Sequence, residues 1–399
     1  MNRLSAKVSP SPAPSPNLLQ LPAPTEDGQR QRDGDTDLAE GDRGGEVEEG
    51  EAEGGKQGCC AHCRLRAIRR VACGLLLGGC VALVWAGGTH SARLALQLLP
   101  APFFITWFCC TWNLLLFPLH YLMHLLGAGS PHGPATHIRR YAGFLADQPL
   151  TVRGVVRGVS PFAVLWNLSG YLYLLSLRHI APGDACAVLC CSQAFHFLLA
   201  WIGLNHHFMG VRIVAAILSI TGIVMLAYAD GFHSESIKGV ALAVGSASTS
   251  AIYKVLFKKC VGEEQSGAAS VLLTCVGLCS CVLHSWVCVL LYLTHVEYWP
   301  LTQHLPWDHL CVTAALLLGF NVLVHLGGEL TYPSLLSLGM LLSVPASTGL
   351  DIYLGAATQL SQVRVAAAAI IAVGYLLLLL PEHWDERVLG WAEGLWQGT

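Results

Sequence analysis

Between positions 71 and 380 the chain alternates long apolar stretches with short breaks rich in polar residues, glycine and proline. Each stretch runs to roughly 18–25 residues, enough at about 1.5 Å per residue to cross about 30 Å of hydrocarbon. The pattern predicts ten helices, near 71–95, 102–126, 158–177, 182–204, 211–229, 237–257, 268–293, 310–328, 332–354 and 363–380. The runs are continuously apolar rather than alternating, so they read as helices of a bundle and not as strands of a barrel.

Outside that region the pattern changes. Residues 1–58 pass from Ser-Pro repeats into a Glu/Asp/Gly/Arg tract that cannot bury enough apolar surface to offset chain entropy, which predicts a disordered acidic, Pro-rich tail without a cleavable signal peptide. A basic juxtamembrane segment, 59–70, follows. At the other end, Trp384, Val388, Trp391 and Leu395 share one helical face, which predicts a short interfacial helix within 381–399.

Composition agrees with a lipid environment: only 12% of the 399 residues are charged and 53% are hydrophobic, with a mean hydropathy of +0.52. The formal net charge of -3 comes mostly from the tail, so nothing points to nucleic acid. Most of the 16 cysteines lie inside apolar runs, where Cys acts as a small hydrophobe. Cys59, Cys60 and Cys63 differ, standing just before four arginines at the mouth of the first span. They are candidates for palmitoylation, against no special role; an isolated cluster lacks a second pair at zinc spacing. His120 and His124 are one turn apart but lack an adjoining Glu, so no metal site is expected, and no cofactor. Neither a Walker A loop nor a nucleophile elbow is present, which argues against an ATP-driven pump and against an enzyme.

The basic residues set an orientation. With a cytoplasmic N-terminus, the inner side carries Arg64, Arg66, Arg69, Arg70, Arg139, Arg140, Arg153, Arg157, Arg212, Lys258, Lys259 and Arg387, against Arg93, Arg178, Lys238 and Arg364 outside. Both termini are then cytoplasmic, and the sequon at Asn167 falls inside the third helix. Plasma membrane and Golgi or other endomembranes are not distinguished, and a homodimer is left open.

A repeat organises the helices. Val211-Arg212-Ile213-Val214-Ala215-Ala216 is echoed by Val363-Arg364-Val365-Ala366-Ala367-Ala368, and Gly222 by Gly374, all 152 positions apart. Five helices being an odd number, the second half (230–380) enters the membrane opposite to the first (71–229), with Arg212 starting its helix inside and Arg364 outside. Such inverted repeats belong to secondary transporters.

The segment Phe208-Met209-Gly210-Val211-Arg212-Ile213-Val214-Ala215-Ala216-Ile217, its continuation to Tyr228-Ala229-Asp230-Gly231-Phe232-His233, and the stretch from Ser246 to Lys258 closely resemble subfamily F of solute carrier family 35. So do Trp107-Phe108, Trp112-Asn113, Thr331-Tyr332-Pro333 and Leu380-Pro381-Glu382. That resemblance implies the drug/metabolite transporter fold, ten transmembrane helices in two inverted five-helix repeats, and places the chain near the branch linked to thiamine transport. Gln193 stands where a lysine is expected in this branch, and His325 and Glu329 also depart from its pattern.

Polar groups at membrane depth cost at least about 2.5–3.5 kcal/mol when charged, so each is a candidate for a solute path. Asp351 reads as counter-ion to a cationic solute or as a capping group. Trp166, Tyr171 and Tyr253 offer stacking faces, although Tyr and Trp also mark membrane interfaces. Asn167, Gln193, His196, Ser250, Asn321 and His325 offer hydrogen bonds. The expectation is an all-α secondary-active transporter moving a small organic solute, thiamine or a related organic cation by resemblance, through the lipid bilayer. A nucleotide-sugar or other metabolite carrier, and a non-transporting scaffold working through the tail, are the alternatives.

Overall fold

The computed structural model describes residues 53–128, 152–204, 210–229, 231, 233–262, 266–297, 299, 305–355 and 361–380, with side chains from Ile68 onward except at a few positions such as Glu329. Of the tail expected to be disordered over 1–58, residues 1–52 lie outside the described residues while 53–58 fall in the first helix; the side chains of Cys59, Cys60 and Cys63 and the interfacial helix expected in 381–399 also lie outside the described residues. Ten helical segments follow one another: α1 (Glu53–Leu98), α2 (Pro102–Leu126), α3 (Val152–Ser176), α4 (Pro182–Gly203), α5 (Gly210–Ala229), α6 (Ser234–Val261), α7 (Gly267–Leu293), α8 (Trp307–Leu330), α9 (Pro333–Tyr353) and α10 (Gln362–Leu378). Eight of them are long and apolar enough to cross a membrane by length and composition. The other two expected spans are also helices, α3 with arginines at positions 153 and 157 and α10 with 17 residues. Among the described residues there is no strand.

Along α5 most small and polar residues turn inward and most branched apolar residues outward. On α5, Ala215, Ser219, Gly222 and Leu226 are buried, while Ile217, Ile220, Val224 and Tyr228 form the exposed stripe. That is the reverse of a soluble helix and follows from hydrocarbon being the solvent. Inside sit Asn113, Asn167, Ser280, Asn321, Ser347 and Asp351.

The 152-residue repeat reappears as geometry. A Cβ built on Gly222 would meet Ile371 and lie 3.2 Å from the Ala367 carbonyl; one built on Gly374 would lie 2.9 Å from the Ala215 carbonyl and 3.1 Å from Ser219 Oγ. Ala367 and Ile371 are the repeat images of Ala215 and Ser219. The contact is therefore its own image under exchange of the halves, as at a two-fold interface, and it runs antiparallel. The remaining packing follows suit: α3 lies on α6, and α1 meets α8 where Gly88 faces Leu317; α4 lies on α9 and α2 on α7.

Three spans are interrupted, and the freed backbone groups find partners nearby. In α2 a tighter turn at Trp112–Leu115 leaves the Phe117 N–H to donate to Thr274 Oγ1 on α7 at 3.0 Å, while the Thr274 hydroxyl approaches the Asn113 carbonyl at 3.3 Å. Breaks at Cys191 in α4 and His284 in α7 are similarly local. Irregular backbone at this depth is tolerated only where protein covers it.

Where α1 crosses α9, a Cβ on Gly339 would lie 2.5 Å from the Gly78 carbonyl, and backbone cannot yield. Gly339→Ala should cost about 1–3 kcal/mol and lower the melting temperature of the detergent-solubilised protein. Gly349→Ala, on the same helix with open space around it, should leave that temperature unchanged or raise it. Equal effects would refute the close crossing.

Candidate functional site: a basic cavity and a closed opposite end

The two ends of the bundle differ. At the end holding the start of α5 and the close of α6, a cavity of about 240 Å³ is lined by Gln193, His196, Phe197 and Ala200 of α4, Arg212 of α5, Lys258 of α6, Ser337 of α9, and Tyr375, Leu378 and Leu379 at the close of α10. Buried Tyr375 donates its hydroxyl to the Ser337 carbonyl at 2.9 Å, and Gln193 lines the same cavity. The Arg212 guanidinium lies 4.8 Å from the centroid of the Phe197 ring. Here α4 and α9 flank the cavity, and α9 packs chiefly against the first half of α4, Pro182–Cys190.

At the opposite end the same helices are locked together. Asp351 Oδ2 accepts the Gly183 N–H at 3.1 Å, and a Cβ on Gly183 would lie 2.6 Å from Thr348 Oγ1. Asp351 Oδ1 stands 3.8 Å from His90 Nε2, which also reaches the Ser347 carbonyl at 3.0 Å. Asp184 pairs with Arg364 at 3.4 Å. Four helices, α1, α4, α9 and α10, converge on this cluster.

Asp351 also solves a local problem. The residue before α4 is Ala181, which offers no side-chain cap, and the helix begins Pro182-Gly183 with orphan N–H groups. A carboxylate from α9 supplies the acceptor and favours the positive end of the helix dipole. α2 has the same deficit after Ala101 and the same remedy: buried Glu297, beyond α7, accepts the Phe103 N–H at 2.9 Å and approaches that of Phe104 at 3.4 Å.

Of the residues expected at a solute path, the cavity brings together only Gln193 and His196. Asn167 is buried and donates to Ser280 Oγ at 2.6 Å, and Asn321 donates to Asn113 Oδ1 at 3.0 Å, so both tie helices together. Trp166 and Tyr253 meet edge to face at 5.2 Å. Tyr171 packs edge-on against Phe103 at 5.8 Å. Ser250 and His325 are half-buried on α6 and α8. Asp351, read as a solute counter-ion or a cap, is here the cap. From the sequence, Arg212 and Lys258 bore on orientation, the repeat and the resemblance rather than on a solute path, and Ser337, Tyr375, His90 and Glu297 were not singled out. The signal present was Arg212 in the first turn of its helix, against the dipole.

Two measurements follow from the closed end. Asp351→Ala should destabilise by about 0.5–2 kcal/mol while Asp351→Asn, which still accepts from Gly183, should match the parent in melting temperature; equal losses would remove the capping role. Burial raises the Glu297 carboxyl above its usual 4.5, with the Phe103 and Phe104 N–H groups opposing in part. The folded state then holds the proton more tightly than the unfolded state. Stability from this group is present below pH 4.5 and is lost as pH rises through the higher folded value. The melting temperature of Glu297→Gln relative to the parent should rise between pH 4.5 and 7; a constant difference would contradict this.

No family model matches the sequence. Curated relatives do. The chain is 45% identical over 323 residues to mouse solute carrier family 35 member F3, covering 81% of this chain and 76% of that protein. It is 43% identical to the human member F3 over 84% of this chain and 79% of that protein, and 41% identical to mouse member F4 over 86% and 70%. At that identity and coverage the chain belongs to solute carrier family 35, subfamily F.

Proposed function

We propose that this solute carrier is secondary-active and moves a small organic solute by alternating access. The observation that carries the reading is the relation between its two ends. Exchanging the halves maps α4 onto α9 and α5 onto α10, so the cavity that α4 and α9 flank beside Arg212 has its image beside Arg364. There the helices are closed by Asp351, Gly183, His90 and the Asp184–Arg364 pair. If the halves swap conformations, the cavity closes and the cluster opens, which is what alternating access requires. This reading takes the structure as an inward-facing state, with the basic end cytoplasmic as the flanking arginines favour.

Thiamine or a related organic cation is the finer reading, and it rests on the subfamily resemblance. In this state Asp351 is engaged at α4 and becomes available to a cation only when the opposite end opens. Asp351→Asn separates the two roles, since it keeps the cap and removes the charge.

Purified protein in liposomes, challenged with organic cations, vitamins and nucleotide sugars, should accumulate or exchange at least one of them. Thiamine uptake that falls at least tenfold in Asp351→Asn supports the cation reading; undiminished uptake removes Asp351 from the solute path. A folded protein that moves no member of the panel would count against the carrier.

A further inference from the structure

We infer that His90 is a proton-operated latch at the closed end: as an imidazolium it pairs with Asp351 and holds α1 to α9, and loss of its proton yields that carboxylate to a cationic solute. The inference rests on the carrier reading and names how one end of its path is governed.

The two carboxylate oxygens of Asp351 are used differently. Oδ2 accepts the Gly183 N–H at 3.1 Å. Oδ1 is buried and, among the described residues, accepts no hydrogen bond; the cationic group that approaches it is His90 Nε2, at 3.8 Å. That nitrogen also lies 3.0 Å from the Ser347 carbonyl, which can only accept. Nε2 therefore carries a hydrogen, and Nδ1 is the nitrogen that takes up a proton. A neutral ring offers Oδ1 only a dipole, whereas a protonated ring offers a full charge at the same distance, where burial weakens screening. The pair keeps slight exposure, 12% for His90 and 11% for Asp351, which gives a proton a route to and from the ring.

Position makes this contact a latch. His90 reaches Ser347 across 257 positions and Asp351 reaches Gly183 across 168, so each joins one half of the repeat to the other. Exchange of conformations between the halves must part both contacts. A charge that strengthens the first opposes opening. An unperturbed imidazole changes charge between about pH 5 and 8, so the device responds in the ordinary range. When this end opens, the ring's proton passes to water and Asp351 stays ionised. A solute cation can then replace the imidazolium at Oδ1 with no change in the net charge of the site.

Other titratable groups share this end. Asp184 of α4 and Arg364 of α10 face one another at 3.4 Å. Arg93 stands one turn beyond His90 on α1, and α8 brings Asp308 and His309 at its start. Beyond α3, His179 pairs with Glu235 at 2.8 Å. A double-mutant cycle between His90 and Asp351 cancels what these groups contribute separately.

The test uses the full chain in nanodiscs at pH 5.5 and pH 8, as the parent, His90→Gln, Asp351→Asn and the double variant. Each substitution keeps a hydrogen-bonding group and removes a charge. His90→Gln should lower the melting temperature more at pH 5.5 than at pH 8, and in the Asp351→Asn background that excess should vanish. Opening is read from the reaction of Cys186 with 4,4′-dithiodipyridine, since this thiol is buried at the closed end beside Thr89 and Tyr173. Comparing variants at one pH cancels the ionisation of the thiol. At pH 5.5 Cys186 should react about fivefold or more slowly in the parent than in His90→Gln or Asp351→Asn, and at pH 8 at similar rates. Equal rates at pH 5.5, a His90→Gln effect that is the same at both pH values, or an excess that persists in folded Asp351→Asn overturns the latch. Should His90→Gln not fold, His90→Asn enters the same cycle, and the labelling of Asp351→Asn against the parent tests the latch by itself. In liposomes, acid on the Asp351 side should slow thiamine uptake in the parent and not in His90→Gln; equal slowing in both overturns the role in solute entry. Uptake without any latch signal would leave the carrier standing, whereas a working latch with no transport of any panel member would count against the carrier alone.

Discussion

The antiparallel contact of α5 with α10 at Gly222 and Gly374 is the constraint on which the architecture rests. Between helices in lipid there is no hydrophobic driving force, since the tails are as apolar as leucine, and association depends on how closely backbones approach. Glycine permits that approach, and each glycine meets the carbonyl of an alanine on the other helix. Because the contact maps onto itself through the repeat, it joins the halves in one two-fold arrangement. The pairing of α4 with α9 and of α3 with α6 follows from the same relation.

Satisfying polar groups without water explains much of the rest. The amide ends of α2 and α4 are capped by Glu297 and Asp351, carboxylates remote in sequence, and the turn in α2 is completed by Thr274. Buried Asn113, Asn167, Ser280 and Asn321 bond across helices. These groups tie the helices together. They also explain why a polar residue at membrane depth is an ambiguous sign of a solute path: capping and bridging need the same side chains.

The asymmetry between the ends is where function enters. One arginine of the repeat is matched by Asp184 and the other stands at a cavity with Lys258, Gln193 and His196. A fold made of two like halves thereby acquires unlike ends.

Ten helices, their order and the two-half organisation were legible in the chain, because apolar runs long enough to span hydrocarbon, and a six-residue echo at a fixed offset, are local properties. The subfamily was legible for the same reason, through short contiguous segments such as 208–217. What lines the cavity was not. Ser337 and Tyr375 look like ordinary helix residues, and they reach Gln193 only because α4, α9 and α10 converge at one end. Asp351 carried two readings in sequence, counter-ion or cap, and the capping contact with the Gly183 N–H, 168 positions away, became visible only in the packed structure. Spans follow from composition along the chain, whereas a site depends on which faces meet across 150 residues, and tertiary packing alone determines that.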